Sequence, residues 1–296
     1  IGQLKVFLSC ISLSLFIVVI YGFMQAFLGI GLTSEQIVWT DGAMFPGLKT
    51  RVFSTWQNPN LLGGYFDLML GLMAGMFLLI KHKIVRIVIA VLFCLTAFCL
   101  TLTYARGACL SIALVIFVYS ILYNRKVLLA LIGLAVILLL SDATLVDRMT
   151  SIFTKMDTSS EMRLAFWEST IAMILDHPLL GIGWGSYFMV YPNYDYYMQG
   201  NFIKIVHAHN MYLNFMAEIG LFGFASYMVC FFGVIYKAFK AQVMKLDILV
   251  KAMFLGIGLG LSALALNGFT DYVMFNTELS MLVWLFSGIV VSGYKN

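Results

Sequence analysis

Charged side chains are scarce in this sequence. Only 11% of its 296 residues are Asp, Glu, Lys or Arg, whereas 62% are hydrophobic. A soluble globular domain has about 25% charged and about 45–50% apolar residues, so the composition excludes that class. Long apolar runs instead predict an all-α, polytopic membrane helix bundle, built as one integral membrane domain over residues 1–296.

The sequence also lacks a strong excess of positive charge, and it has no cysteine in a polar loop. The formal net charge is only +4, and the basic residues are spread over several loops, so a nucleic-acid partner is not indicated. All five cysteines lie within apolar runs, where they behave as small hydrophobic residues. The sequence therefore predicts no disulfide and no thiolate metal site.

Eight apolar runs are long enough to span, or nearly span, a bilayer. They cover 6–29, 60–80, 87–104, 107–123, 127–141, 209–236, 252–268 and 279–294. About eight transmembrane helices are therefore predicted, although the run at 127–141 is short. Because the chain starts at Ile1 rather than Met, we expect an N-terminally truncated sequence.

The positions of lysine and arginine predict the orientation of the bundle. If every run spans the membrane, eleven of the 18 basic residues fall on one side. These are Lys5, Lys81, Lys83, Arg86, Arg125, Lys126, Lys237, Lys240, Lys245, Lys251 and Lys295. Basic residues are retained in cytoplasmic loops, so this side is predicted to be cytoplasmic. Residues 142–208 then form a large periplasmic or extracytoplasmic loop, in which 160–176 reads as an amphipathic helix.

Arg106 and Arg163 are two of the arginines predicted on the external side, which should be poor in basic residues. Arg106 occupies a tight turn between two apolar runs, and Arg163 leads a helical face that includes Trp167. Arg106 is either an interfacial residue that reaches towards the headgroups or an anion site, since a guanidinium matches phosphate oxygens. Arg163 is either a solvated arginine or a residue with a role in binding substrate.

Further polar and aromatic residues flank these segments. Asn58 and Asn60 precede the second run, where Asn60 is expected either to cap the helix or to contact a polar substrate. Five tyrosines, among them Tyr191, follow a glycine-rich loop; they form either an interfacial aromatic belt or a surface for stacking sugar rings. Asp67 should face the bundle interior and has no assigned partner.

Two histidines, His207 and His209, stand at the mouth of the run 209–236. Their separation of two residues does not suit a helical zinc pair, so no metal site is predicted. Such a histidine is either an interfacial polar residue or a general base, since imidazole titrates near neutral pH. Placed on one helix, His209 shares a face with Gly220 and Gly223, where a neighbouring helix could approach closely. His209 is therefore preferred to His207 as the base.

Three separated segments together resemble the O-antigen ligase and polymerase superfamily of membrane glycosyltransferases. They are Arg106-Gly107, the stretch from Arg163 and Trp167 to the Asp176–Gly183 segment, and His209-Asn210 followed after nine residues by Gly220-x-x-Gly223. Each is weak alone, but their order, spacing and common side of the membrane are specific. Members of that family look like metal-independent enzymes that move a glycan from undecaprenyl diphosphate to another sugar.

The resemblance implies an inverting, cofactor-free glycosyltransferase in the bacterial inner membrane, acting from the periplasmic face in lipopolysaccharide or polysaccharide biosynthesis. His209 would be the catalytic base, and Arg106 and Arg163 would bind the diphosphate. The candidate substrate contacts are His207, Asn210, Trp167, Asn58, Asn60 and Tyr191. The implied partners are an undecaprenyl-diphosphate-linked glycan donor, a glycan or lipid-sugar acceptor and the lipid bilayer.

Other functions remain open from the sequence. A polysaccharide polymerase or a protein oligosaccharyltransferase would share the donor site with a ligase. More distantly, residues 51–60 look like those of cyanobacterial relatives once labelled bicarbonate transporters, so a small-solute transporter is an alternative. A transporter would need interrupted helices in paired positions near the midplane, and the sequence shows no such pair.

The basic-residue bias predicts that residues 142–206 lie outside the cytoplasm. In a chain without its native cysteines, a cysteine at Ser159 should react with an impermeant thiol reagent in intact cells. A cysteine at Lys245 should react only after the cells are permeabilised, because Lys245 belongs to the basic side. The reverse pattern of labelling would show that the orientation is wrong.

Overall fold

A computed structural model describes residues 2–32, 50–123, 158–196 and 205–293, and single positions between 129 and 146. Over these residues the regular elements are helices, and there is no strand. The predicted run at 127–141 and the fifth tyrosine, Tyr197, lie largely or wholly outside the described residues.

Nine α-helices follow one another along the described chain. They are α1 (Gly2–Leu28), α2 (Pro59–Leu79), α3 (Lys83–Leu102), α4 (Arg106–Tyr123), α5 (Thr158–Asp176), the short α6 (Tyr187–Val190), α7 (Met211–Lys240), α8 (Ile248–Asn267) and α9 (Thr277–Gly293). Five of them (α1, α2, α3, α7 and α8) are long and apolar enough to cross a membrane, and α4 and α9 are shorter apolar helices. The chain is thus a polytopic helical membrane protein, and α5 confirms the helix predicted at 160–176.

The centre of the bundle is the antiparallel pair of α2 and α8. A methyl group added to Gly71 or Gly75 of α2 would meet the backbone of Gly260 or Gly256 of α8, so the two backbones are in direct contact. Small residues at a helix interface allow this close approach inside a membrane. Both helices are mostly buried, whereas α1 and α3 expose apolar faces suited to lipid.

The antiparallel pairing brings the start of α2 beside the end of α8, at what we call the site end of the bundle. Asn58 caps α2 there, because its side-chain oxygen accepts from the amides of Asn60 and Leu61. The prediction that Asn60 caps this helix is therefore wrong. Pro59 occupies the first helical turn, which leaves Asn58, in an extended conformation, as the cap residue. The start of α7 joins the same end, since the amide of Met211 donates to the carbonyl of Gly268 at 2.7 Å.

Helix α7 is interrupted at Gly220, whose φ is 65° and ψ is −175°. The loop after α5 supplies the missing hydrogen bonds, because the amides of Ile182 and Gly183 donate to the carbonyls of Ala217 and Glu218, each at 2.9 Å. The amide of Leu221 in turn donates to the carbonyl of Pro178 at 2.9 Å. Contrary to expectation, Gly220 admits a docked loop rather than a neighbouring helix.

We predict that Gly220→Ala destabilises the protein. Its φ and ψ lie in a region that is essentially restricted to glycine and costs other residues about 1–3 kcal/mol, and an added methyl group would meet the carbonyl of Leu179. Gly233→Ala in the same helix is the matched control, because its added methyl group meets nothing within 4 Å. Thermal unfolding in detergent should show a lower Tm for Gly220→Ala than for Gly233→Ala, and equal values would contradict the structural role of the break.

Candidate functional site

His209 lies immediately before α7 rather than in it. Asn210 is the cap residue of this helix, with its side-chain oxygen accepting from the amides of Tyr212 and Leu213 at 3.0 Å. Its side-chain nitrogen donates to the carbonyl of Phe269 at 3.1 Å. His209 itself has a φ of 49°, which is uncommon for a residue other than glycine. The prediction that His209 shares a helical face with Gly220 and Gly223 is therefore wrong, although its place at the mouth of the helix is confirmed.

The imidazole of His209 is held on one edge and on one face. Its Nδ1 lies 3.1 Å from Oδ1 of Asp271, and its ring stacks on Phe166 with 5.8 Å between centroids. Since a carboxylate can only accept, the proton of neutral His209 belongs on Nδ1. Nε2 then keeps its lone pair, and the side chain is 33% exposed. This arrangement suits a general base.

Asp271 is a site residue that the sequence reasoning missed. Its Oδ1 accepts from the amide of Tyr272 at 2.8 Å as well as from His209, and its Oδ2 accepts from the side chain of Asn60 at 2.6 Å. Burial raises the pKa of this carboxyl, but the charges of His209, His207 and Arg163 and the hydrogen bond from His209 outweigh it. The net effect holds the pKa of Asp271 well below its usual range, so the group remains ionised.

His207 is buried beside the same centre and supports the backbone of His209. Its Nδ1 accepts from the amide of His209 at 3.2 Å, and its ring packs against Phe275 with 4.4 Å between centroids. Burial and, secondarily, the charge of His209 lower the pKa of His207 to about 3. His207 is therefore neutral near pH 7, and because Nδ1 accepts a hydrogen bond, its proton lies on Nε2.

These groups border one cavity at the site end of the bundle. Its polar lining consists of Arg51, Asn58, Asn60, His207, His209 and Asp271. Four of the predicted site residues are thus brought together: the two histidines and the two asparagines. Arg51 and Asp271 are additions. No motif or periodicity in the sequence links Arg51 or Asp271 to the two histidines, which lie far away in the chain.

Helix α5 brings Arg163 to this centre. Its positive charge acts on both Asp271 and His207, and its Nη1 donates to Oγ of Ser159 at 2.9 Å. Phe166, three residues later, is the ring on which His209 stacks. Trp167 lies one turn after Arg163, and its buried indole nitrogen has no hydrogen-bond partner among the described residues.

Arg106 begins α4 and does not line the cavity. Its neighbour Gly107 packs tightly against the side chains of Asn267 and Thr270, which a methyl group would meet. Because these two residues precede Asp271, the turn that carries Arg106 lies against the segment that carries the carboxylate.

Two other predicted contacts have structural partners. Tyr191 is buried beneath α5, where it packs against Phe166 and stacks on Tyr187. The side chain of Asn210 is engaged in the cap of α7 and the bond to Phe269. Neither lines the cavity, and their contact with substrate stays a prediction.

A metal-ligand set is also brought together, since ligand atoms of His207, His209 and Asp271 lie within 4.8 Å of one another. The hydrogen bonds do not fit such a site. Nδ1 of His207 is occupied by the amide of His209, and Nε2 of the neutral ring carries the proton, so His207 offers no lone pair to a cation. Oδ1 of Asp271 accepts from two donors and Oδ2 from one, so the carboxylate keeps only one free lone-pair position for a cation.

Comparison with known proteins gives one family. A family model described as O-antigen ligase matches residues 89–228, a range that contains Arg106, Arg163 and His209. Asn60 and Asp271 of the cavity lie outside it. No curated protein matches the chain.

Proposed function

Since the chain belongs to the O-antigen ligase family through residues 89–228, we propose that it transfers a glycan from undecaprenyl diphosphate to an acceptor sugar by a metal-independent, inverting reaction. The observation that carries this proposal is the His209–Asp271 pair, at 3.1 Å, in a cavity at the mouth of a membrane helix. Family membership supplies the class of enzyme, of ligase or polymerase type. The donor and the stereochemistry are carried over from the family resemblance, and the residue roles are argued from the resemblance together with the geometry of the site.

His209 acts as the general base in this proposal. As the acceptor hydroxyl oxygen forms a bond to the anomeric carbon of the donor, its proton passes to Nε2 of His209, and the bond from that carbon to the diphosphate oxygen breaks. Attack from the face opposite the diphosphate inverts the configuration. Asp271 holds Nδ1–H of the ring and stabilises the imidazolium that forms, as a buried carboxylate does in other histidine-based sites.

Arg163 and Arg106 stabilise the departing diphosphate. Negative charge grows on the leaving group as the glycosyl bond breaks, and preorganised cations at that position lower the barrier. Support for Arg163 comes from its charge, which already acts on Asp271 and His207. Support for Arg106 comes from its position beside Gly107, which packs against the segment leading to Asp271.

The proposed location is the bacterial inner membrane, with the cavity facing the periplasm or cell exterior. One integral domain would then carry both the membrane helices and the external loop. Its acceptor would be a lipopolysaccharide core sugar, a second lipid-linked repeat or a protein side chain, all of which a ligase-type donor site could serve. Profiling the surface glycans of a deletion strain separates these acceptors, because capping, chain length and protein glycosylation are lost independently.

We predict that His209→Ala lowers transfer by about 10²–10⁴-fold, the usual contribution of a general base. Burial lowers the pKa of His207 to about 3, so His207 cannot give the rate a pH dependence near neutrality, and any inflection there that disappears in His209→Ala belongs to the base at position 209. The measurement is transfer from a purified lipid-linked donor in proteoliposomes over a range of pH.

The matched control is His82→Ala, which removes an exposed histidine at the start of α3, the end of that helix opposite the cavity, and should leave the rate unchanged. Chelators should also have no effect. Full transfer by His209→Ala, with an unaltered pH profile, would exclude His209 as the base; reversible loss of activity in EDTA would exclude the metal-independent mechanism.

We predict that Arg163→Ala and Arg106→Ala each lower transfer by about 10²-fold or more, as removal of a charge-stabilising donor does. Lysine at either position should restore activity only in part, because a point charge cannot reproduce the guanidinium fork. Arg86→Ala, which removes a cation packed over Phe77 on the opposite side of the bundle, is the control for loss of charge. Wild-type rates from either alanine variant, at equal amounts of protein in the membrane, would rule that arginine out.

A further inference from the structure

Asn60 lies between a cation and the buried carboxylate of the site. Its Oδ1 accepts from Nη2 of Arg51 at 2.8 Å, and its Nδ2 donates to Oδ2 of Asp271 at 2.6 Å. A guanidinium can only donate and an ionised carboxylate can only accept, so the two ends of the amide are not interchangeable. Arg51 therefore fixes the direction in which Asn60 presents its N–H groups.

Arg51 is itself anchored from behind. Its Nε donates to the carbonyl of Thr103 at 2.8 Å, and the amide of Val52 donates to the carbonyl of Leu102 at 3.0 Å. Both carbonyls belong to the end of α3, so the guanidinium is held by the rigid bundle rather than by a solvated loop. Its planar fork donates to Thr103 and Asn60 from two separate nitrogens, Nε and Nη2, a fixed geometry that the single nitrogen of a lysine cannot reproduce.

This chain of hydrogen bonds ends at Asp271, where Asn60 is the donor to Oδ2. Oδ1 is shared by the amide of Tyr272 and Nδ1 of His209. With donors on both oxygens the carboxylate cannot turn without losing a bond. Without Asn60, a buried carboxylate oxygen would lack its donor, and the carboxylate would be free to rotate away from His209.

We infer that Arg51 and Asn60 are positioning residues that act through Asp271 to keep the proton of His209 on Nδ1 and its Nε2 open to the acceptor hydroxyl. The catalytic consequence rests on the proposed role of His209 as the base. The structural consequence does not, because the tautomer of His209 is a property of the protein without substrate. Neither residue touches the reacting atoms in this arrangement.

The inference assigns Asn60 a role different from capping or substrate contact. A substrate contact would be expected to change KM for the donor or acceptor, whereas a residue that positions the base changes kcat. The role of Arg51 also differs from that of Arg106 and Arg163, which are proposed to bind the diphosphate. If Arg51 acts only through Asn60, its removal should have little further effect once Asn60 is gone.

The test uses Asn60→Leu, which keeps the side-chain volume and removes the amide, Arg51→Leu, and the double variant. ¹⁵N-histidine NMR of the full chain in detergent reports the tautomer directly. The chain has four histidines, and the His209 signals are identified by their loss in His209→Ala. We expect the Nδ1–H form in the wild-type protein and a roughly tenfold larger share of the Nε2–H form in both single variants, as loss of one buried hydrogen bond to a charged group implies.

Kinetics on the same variants give the second readout. Each single variant should lower kcat by roughly tenfold with little change in KM, and the double variant should be no slower than Asn60→Leu. Arg51→Lys should be intermediate, and it keeps the test decisive should Arg51→Leu fail to fold. Arg86→Leu, a cation on the opposite side of the bundle, should change neither the tautomer nor kcat.

The outcomes separate this inference from the proposed function. An unchanged tautomer in a folded Asn60→Leu protein would overturn the positioning role, even if the wild-type protein transfers glycan. The positioning role would also be overturned, in favour of direct substrate contacts, by either of two kinetic results. One is that the fold losses in kcat of Arg51→Leu and Asn60→Leu multiply in the double variant; the other is that only KM changes. A changed tautomer in a protein that transfers no glycan would uphold the positioning role and reject the proposed function.

Discussion

The contact between α2 and α8 is the constraint on which the site depends. Gly71 and Gly75 allow the backbone of α2 to touch that of α8, and the antiparallel pairing then fixes the start of one helix beside the end of the other. Asn60 and Asp271, which are 211 residues apart in the chain, meet at 2.6 Å as a result. A bulkier interface would separate these ends, and the carboxylate would lose the donor that holds it.

Much of the fold could be predicted from the sequence, because apolar run length and basic-residue bias report directly on the membrane. The site was predicted in part. Local motifs mark His209 and Arg163 in the sequence, and the structure brings both residues to one centre. Asp271 and Arg51 were missed because their roles depend on helix pairing, which a single sequence does not encode locally. The helical face assigned to His209 was wrong because the Asn210 cap starts α7 after it, and periodicity cannot locate a cap to one residue.

The break in α7 links α5 to the membrane helices. Gly220 leaves the carbonyls of Ala217 and Glu218 without helical donors, and the loop at 178–183 supplies them. That loop directly follows α5, so the break limits where α5 can lie above the mouth of α7. The stacking of Phe166 on His209 and the effect of Arg163 on Asp271 both follow from this placement.

The burial and hydrogen bonds of the two histidines explain why His209, and not His207, is the proposed base. Both rings lie near Asp271, but His207 is buried, which lowers its pKa to about 3, and its Nδ1 is occupied by the amide of His209. Its proton therefore stays on Nε2, and at neutral pH the ring can only donate to the cavity. His209 is partly exposed, its Nδ1–H is held by an ionised carboxylate, and its Nε2 is left with a lone pair. Two adjacent imidazoles thus present opposite hydrogen-bonding character, a donor and an acceptor, and only the acceptor, His209, could take the proton of the attacking hydroxyl group in the proposed reaction.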